Sequence, residues 1–231
     1  MRALLFDIDG TLTRGSGAGS RALARALHTR EASLVELRNM RLDGMTDRSI
    51  TRILLAVEHP DKSLGLPERL QLVREEEIDA VLKTYLKALE VECDELPYLL
   101  QPGIQALLGR LEQERNVLLG LGTGNLERAA ELKLRSAGIW GSWRFGGYGS
   151  DAEARVEIIR ASFRRAQALG ATEGLVIGDT PRDISAAHEA GLPALGVATG
   201  RYSVHELAEN GADKVAQDFS DLERTLGLLL A

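Results

Sequence analysis

Asp7 and Asp9 stand two residues apart in Asp7-Ile8-Asp9-Gly10-Thr11, immediately after the apolar run 3–6. An aspartate at such a place can attack phosphorus and become phosphorylated, a form of covalent catalysis. Its neighbour two residues on points elsewhere and can protonate a leaving alkoxide, then take a proton from water. Two more polar clusters follow later apolar runs, Thr123-Gly124-Asn125 and Gly178-Asp179-Thr180-Pro181-Arg182-Asp183. The Thr123 hydroxyl and the Gly124 and Asn125 amides at a helix start are donors suited to an anionic oxygen, a cradle for phosphate. Asp7, Asp9, Asp179 and Asp183, gathered in one place, would repel one another unless a cation or shared protons intervened. Mg²⁺ answers that need, since it prefers oxygen ligands and combines a few carboxylates with waters and substrate phosphate.

For these residues to meet, each must follow a strand of one parallel sheet, because doubly wound α/β folds bind ligands at the carboxyl ends of their strands. Residues 3–6, 117–121, 175–177 and 194–197 are short apolar runs of the kind that lie buried on both faces, and 214–216 is a weaker edge strand. Between them apolar residues recur at helical spacing, as at Ile104, Leu107, Leu108 and Leu111, or Val156, Ile159, Phe163 and Ala166. Gly138, Gly170 and Gly191 fall where helices end, and Pro102 and Pro181 near helix starts. The alternation predicts an α/β, Rossmann-like parallel-sheet core with right-handed crossovers. From about Ser20 to Leu96 no strand is legible. That stretch predicts helices, among them one long helix after Pro67 whose face carries Leu70, Val73, Ile78, Val81, Leu82, Tyr85, Leu86 and Leu89. The expected division is a core of residues 1–15 and 97–231 and a helical cap of residues 16–96, with 15–19 and 97–102 as hinges.

Asp7-Ile8-Asp9-Gly10-Thr11-Leu12, Thr123-Gly124-Asn125 and Gly178-Asp179-x-x-x-Asp183 resemble, in order and spacing, the three main motifs of haloacid dehalogenase-like hydrolases. The likeness covers nearly the whole chain, since the helical insertion is similar to the cap of the phosphoglycolate phosphatase-like branch. The resemblance implies a Mg²⁺-dependent phosphatase acting on a small-molecule phosphate ester, phosphoglycolate-like or a sugar phosphate, through an aspartyl phosphate. It makes Asp7 the nucleophile and a metal ligand, and Asp9 the acid and base with its backbone carbonyl on the metal. Asp179 would be a further ligand, and Asp183 a ligand or the holder of the metal's waters. Gly10, Thr11, Thr123, Gly124 and Asn125 would bind phosphate. Family members also carry a basic residue, commonly lysine, at the start of the helix before the acidic motif. Arg155 is the match here, and arginine can fork onto carboxylate and phosphate oxygens. The rival, Lys133, lies on the preceding helix, too early in the topology. Cap loops of the family reach over the site, which makes Thr46 and Arg48, in Asp43-Gly44-Met45-Thr46-Asp47-Arg48, candidates for substrate specificity together with Arg14. The plainer reading of that loop makes Thr46 or Asp47 a helix N-cap.

Taken singly, each motif could be a turn or a helix cap, and their joint order argues otherwise. Gly120-Leu121-Gly122-Thr123-Gly124-Asn125 lacks the last glycine of a dinucleotide fingerprint and follows an interior strand. His28, His59, His188 and His205 are scattered, with no second histidine at metalloprotease spacing. Halide displacement needs no acid such as Asp9, which disfavours a dehalogenase, and the cap lysine of a phosphonatase has no clear counterpart. A sugar phosphomutase, which shares the aspartyl phosphate, stays open, as does a non-enzymatic phosphometabolite-binding protein on the same fold. The 231 residues are 44% hydrophobic and 27% charged with a formal net charge of -6, which describes a soluble folded protein with no chain-wide attraction for nucleic acid or an anionic membrane. Cys93 is the single cysteine, and no apolar run is long enough for a membrane helix or signal peptide. The expected setting is the cytoplasm, and the expected state a monomer or homodimer.

Overall fold

In the computed structural model, residues 1–15, 17–27 and 41–231 are described; Ser16, His28 and the remainder of the expected insertion at 29–40 lie outside them. The strands among the described residues are β1 (Arg2–Phe6), β2 (Thr13–Arg14), β3 (Leu99–Leu100), β4 (Val117–Gly122), β5 (Phe145–Gly147), β6 (Glu173–Gly178), β7 (Ala194–Val197) and β8 (Lys214–Ala216). Six of them form one parallel sheet in the order β5-β4-β1-β6-β7-β8, while β2 and β3 pair antiparallel by themselves. The sheet grows from β1 in both directions, so β1 sits where the strand order reverses and a crevice opens at its carboxyl end. Register then fixes what faces that crevice. Phe6 lies beside Leu121 of β4 and Ile177 of β6, so the chain leaves all three strands at one level.

The α-helices among the described residues are α1 (Ala18–Leu27), α2 (Asp47–Glu58), α3 (Leu66–Leu72), α4 (Glu75–Glu95), α5 (Ile104–Leu111), α6 (Glu127–Ser136), α7 (Arg155–Ala168), α8 (Pro181–Glu189), α9 (Val204–Glu209) and α10 (Leu222–Leu230). Alternation along β1 splits the core into two layers. Leu4 and Phe6 pack with Leu107 of α5, Leu134 of α6 and Leu226 of α10. Ala3 and Leu5 pack with Ile159 of α7, Ile184 of α8 and Leu207 of α9. Each large side chain so buried contributes about 1.5–3 kcal/mol. The expected α/β, Rossmann-like core is therefore present. The glycines expected at helix ends, Gly138, Gly170 and Gly191, take positive φ.

A third cluster belongs to the inserted helices. Ala22, Leu54, Ile78, Leu82, Tyr85 and Leu89 gather there, joined by Ala129 and Leu132 of α6, so the helical layer rests on α6. The single long helix expected after Pro67 is in fact two. The chain is extended at Val73 and Arg74, and the Glu77 carboxylate accepts the Arg74 amide at 3.0 Å to start α4. Apolar spacing runs across the break because Leu70 and Val73 pack into the same cluster as α4. Strand β5 also went unforeseen, being three residues long with two glycines. No helix among the described residues is long and apolar enough to cross a membrane.

Glu92 of α4 is buried, and its carboxylate meets Arg21 Nε at 2.7 Å and Arg25 Nη2 at 2.9 Å from α1. A buried carboxylate stripped of its partners keeps its desolvation penalty and loses the offsetting attraction. Replacing both arginines together, Arg21→Ala with Arg25→Ala, is expected to lower the unfolding free energy by about 3 kcal/mol. Urea titration of the double and single variants checks this, the single variants losing less.

Candidate active site

Asp7 follows β1 directly and donates its amide to the Ile177 carbonyl at 2.9 Å, which holds it at the strand ends. Its Oδ1 lies 2.9 Å from Nη2 of Arg155, the first residue of α7, and the same nitrogen donates to Asp183 Oδ1. Asp183 is placed by the start of α8. Pro181 opens that helix, and Asp183 Oδ2 accepts the Thr180 amide at 3.0 Å and the Thr180 hydroxyl at 2.8 Å. Asp179 follows β6 and accepts from the Thr11 hydroxyl at 3.1 Å. Asp7, Asp179 and Asp183 are all buried, and one oxygen from each lies within 4.8 Å of the others. Gly10 packs flat on Asp179. Its φ is +88°, and a Cβ there would stand 2.3 Å from Asp179 Oδ2. Gln101 Nε2 ties this loop down by donating to the Gly10 carbonyl at 2.9 Å and the Thr199 carbonyl at 3.1 Å.

Crowding of like charge marks these groups electrically. Burial pushes the Asp7 carboxyl up to about 6, and Arg155 offsets part of that rise. Burial, with Asp183 and Asp7 alongside, pushes Asp179 to about 8. Burial works against the Arg155 guanidinium, but Asp183 and Asp7 hold its proton more tightly than usual. With all three carboxyls ionised, as a bound cation would keep them, the trio and one guanidinium leave two negative charges, and all the nearby acceptors are oxygens. The residues present therefore fit a hard divalent cation.

Asp9 is not part of that cluster, which corrects the expectation of four carboxylates around one ion. Its side chain, 46% exposed, accepts at Oδ2 from Lys133 Nζ at 2.6 Å and from Asn125 Nδ2 at 2.8 Å. Against the loss of water on its inner side, the Lys133 charge and the two hydrogen bonds bring its pKa below the usual carboxylate range. Lys133 also donates to Asn125 Oδ1 at 2.6 Å. Sequence reasoning set Lys133 aside as too early in the chain, but α6 starts from the Asn125 loop and its second turn returns to Asp9. The one available signal was position, because Lys133 follows Ala129 and Ala130 at helical spacing on a buried face. Thr123 is fully buried, and its hydroxyl accepts from Asn125 Nδ2 at 2.9 Å and from the Asn125 amide at 3.3 Å, which leaves its own O–H to donate.

Overhead, the loop before α2 comes down onto the sheet ends. The Gly44 carbonyl accepts from Arg155 Nη1 at 3.3 Å. The Asp47 amide donates to the Gly124 carbonyl at 2.9 Å, and Asp47 Oδ2 accepts the Leu126 amide at 2.8 Å, so a side chain of one helix caps another. Burial pushes Asp47 up to about 6 against the pull of Lys133. The cavity at this place, open to solvent, measures about 1450 Å³ and has Asp7, Asp9, Lys133 and Arg155 on one side and Met45, Asp47 and Tyr85 on the other.

None of the three specificity candidates lines it. The Thr46 hydroxyl accepts the Ser49 amide at 3.1 Å as the N-cap of α2, and Arg48 pairs with Glu75 and Asp79 at 2.6 and 2.7 Å. Arg14 is exposed on β2. Each has found a local partner or solvent, a choice that loop sequence does not reveal.

The haloacid dehalogenase-like hydrolase family model matches residues 1–191. The chain is 25% identical over 236 residues to a phosphoglycolate phosphatase of Salmonella paratyphi A, covering 99% of this chain and 93% of that protein. It is 34% identical over 129 residues to a phosphoglycolate phosphatase of Rhodospirillum rubrum, a match that spans 54% of this chain and about half, 52%, of that relative. Among solved structures, CbbY from Rhodobacter sphaeroides in complex with phosphate superposes with a TM-score of 0.70 at 18% identity over 95% of each chain, a likeness of fold.

Two measurements test the electrostatic description. Because Asp7 and Asp179 hold protons up to about 6 and about 8, against an ordinary 3.8, the metal-free folded state binds more protons than the unfolded one across that interval. Stability contributed by these two groups is present at low pH and lost as pH rises through their folded values. Thermal melts of metal-free protein between about pH 5 and about pH 9 are expected to show a falling Tm, a fall that Mg²⁺ reduces. Gly10→Ala forces a Cβ onto Asp179 and strains the backbone by about 1–3 kcal/mol. Calorimetric titration is expected to show Mg²⁺ affinity weakened about 10-fold or more in that variant.

Proposed function

Because this chain belongs to the haloacid dehalogenase-like hydrolases, we propose that it is a Mg²⁺-dependent phosphatase that hydrolyses a small phosphorylated metabolite, phosphoglycolate or a sugar phosphate, through an aspartyl phosphate on Asp7. The observation that carries the reading is the buried trio Asp7, Asp179 and Asp183 within 4.8 Å, with Arg155 bonded to two of its members. Asp7, Asp179 and Asp183, with the backbone carbonyl of Asp9, would hold Mg²⁺, which when bound neutralises phosphate charge before the nucleophile.

Asp7 forms a bond to phosphorus while the bond to the leaving oxygen breaks, and Asp9 gives that oxygen its proton. An arriving phosphate dianion beside Asp9 favours the protonated carboxyl by like-charge repulsion. A water then attacks phosphorus, passes its proton to Asp9 and frees Asp7 and inorganic phosphate. Thr123, Gly124 and Asn125, with Gly10 and Thr11, hold the phosphoryl oxygens, while Arg155 orients Asp7 and balances its charge. Residues 16–96 act as a cap that excludes water, a role supported by the reach of Gly44 and Asp47 onto the core.

Hydrolysis of p-nitrophenyl phosphate is expected with Mg²⁺ and not with EDTA, and Asp7→Asn is expected to lower it about 10³-fold or more. Ligand binding without turnover would instead make the protein a phosphometabolite binder. Conversion of a hexose 1-phosphate into its 6-phosphate would name a sugar as acceptor in place of water.

A further inference from the structure

Asp9 sits two residues from Asp7 and carries the same charge as the clustered acids, yet its carboxylate stands outside their group. A divalent cation among Asp7, Asp179 and Asp183 would draw this fourth carboxylate toward itself. Lys133 opposes that pull. Its Nζ lies 2.6 Å from Asp9 Oδ2 and 2.6 Å from Asn125 Oδ1, and Asn125 Nδ2 reaches the same Asp9 oxygen at 2.8 Å. The three side chains thus close a ring. The Lys133 side chain is 5% exposed, and its ammonium lies 5.6 Å from the centre of the Tyr98 ring. Asp47 and Tyr85 also face it, so the ammonium keeps its charge in this buried place.

We propose that Lys133 is a positioning residue that, with Asn125, pins the Asp9 carboxylate at the cavity wall, away from the metal cluster and beside the leaving oxygen. The proposal rests on the assignment of Asp9 as acid and base. It accounts for a buried lysine that touches neither Asp7 nor the acids around it.

Leaving groups test it. An alkoxide departs poorly without a proton, whereas p-nitrophenolate departs readily without one. In single-turnover experiments Lys133→Met is expected to slow an alkyl phosphate about 100-fold and p-nitrophenyl phosphate less than about 5-fold, since acid catalysis is worth about 10²–10⁴-fold where the leaving group needs it. Mg²⁺ affinity by calorimetry is expected to be at least that of the unsubstituted protein. Equal losses on both substrates, no loss on either, or weakened Mg²⁺ binding would each overturn the proposal. If Lys133→Met does not fold, Lys133→Gln, a neutral side chain that can still donate to Asn125, carries the same comparison. Asp9→Asn separates the two levels of argument. If it also shows no preference between substrates, the acid and base assignment fails; if it is selective and the Lys133 variants are not, only the role of Lys133 falls.

Discussion

One guanidinium touches Asp7 and Asp183 at once, and the floor of the cavity depends on it. Three carboxylates buried within 4.8 Å of one another are an unfavourable arrangement that sheet register alone would impose. Arg155 removes part of that repulsion from the first turn of α7, and the remaining charge matches a divalent cation. Much nearby structure serves the same crowding. Thr180 holds Asp183 through the start of α8, Thr11 donates to Asp179, and Gly10 has no side chain where Asp179 needs room.

Two aspartates separated by a single residue occupy opposite electrical settings. Asp7 faces other acids in a dry place, which raises its pKa, whereas Asp9 faces an ammonium and an amide, which lower it. The difference comes from the intervening residue, which turns one side chain toward α7 and α8 and the other toward α6. Chemically identical groups thus come to differ through environment alone, the principle by which enzymes with paired carboxylates separate their acid from their base.

The core strands were legible because short apolar runs without polar interruption have few other uses in a chain of this composition. The clusters at their ends were legible because a parallel sheet brings strand ends together whatever lies between them. What escaped notice depended on tertiary contact. Val73 belongs to the same buried stripe as α4, so the helix break beside it left no mark on the apolar spacing. Asp47 looked like the cap of its own helix and caps α6 instead, a contact that exists only once the inserted helices are seated. Arg155 meets Asp7 as its place at a helix start implied, whereas the contact of Lys133 with Asp9 is of a kind that reasoning by strand ends overlooks, since it returns to the site by helical rotation. Thr46 and Arg48 sit in a loop that does reach the cavity, but each is satisfied within its own layer, Thr46 as the N-cap that the plainer reading of the loop expects.

The chain departs for its inserted helices just after β2 and comes back just before β3, and those two strands are paired neighbours, Thr13 beside Leu100 and Arg14 beside Leu99. The covalent attachment of the described inserted helices is thus a ribbon two residues long that shares no hydrogen-bonded edge with the main sheet. Such an attachment leaves the central strand pairing untouched by changes of length in the overlying part. Beyond the ribbon the layers meet at the apolar patch of Ala129 and Leu132 and through the polar contacts of Gly44 and Asp47, so a change in the inserted helices has few core partners to preserve.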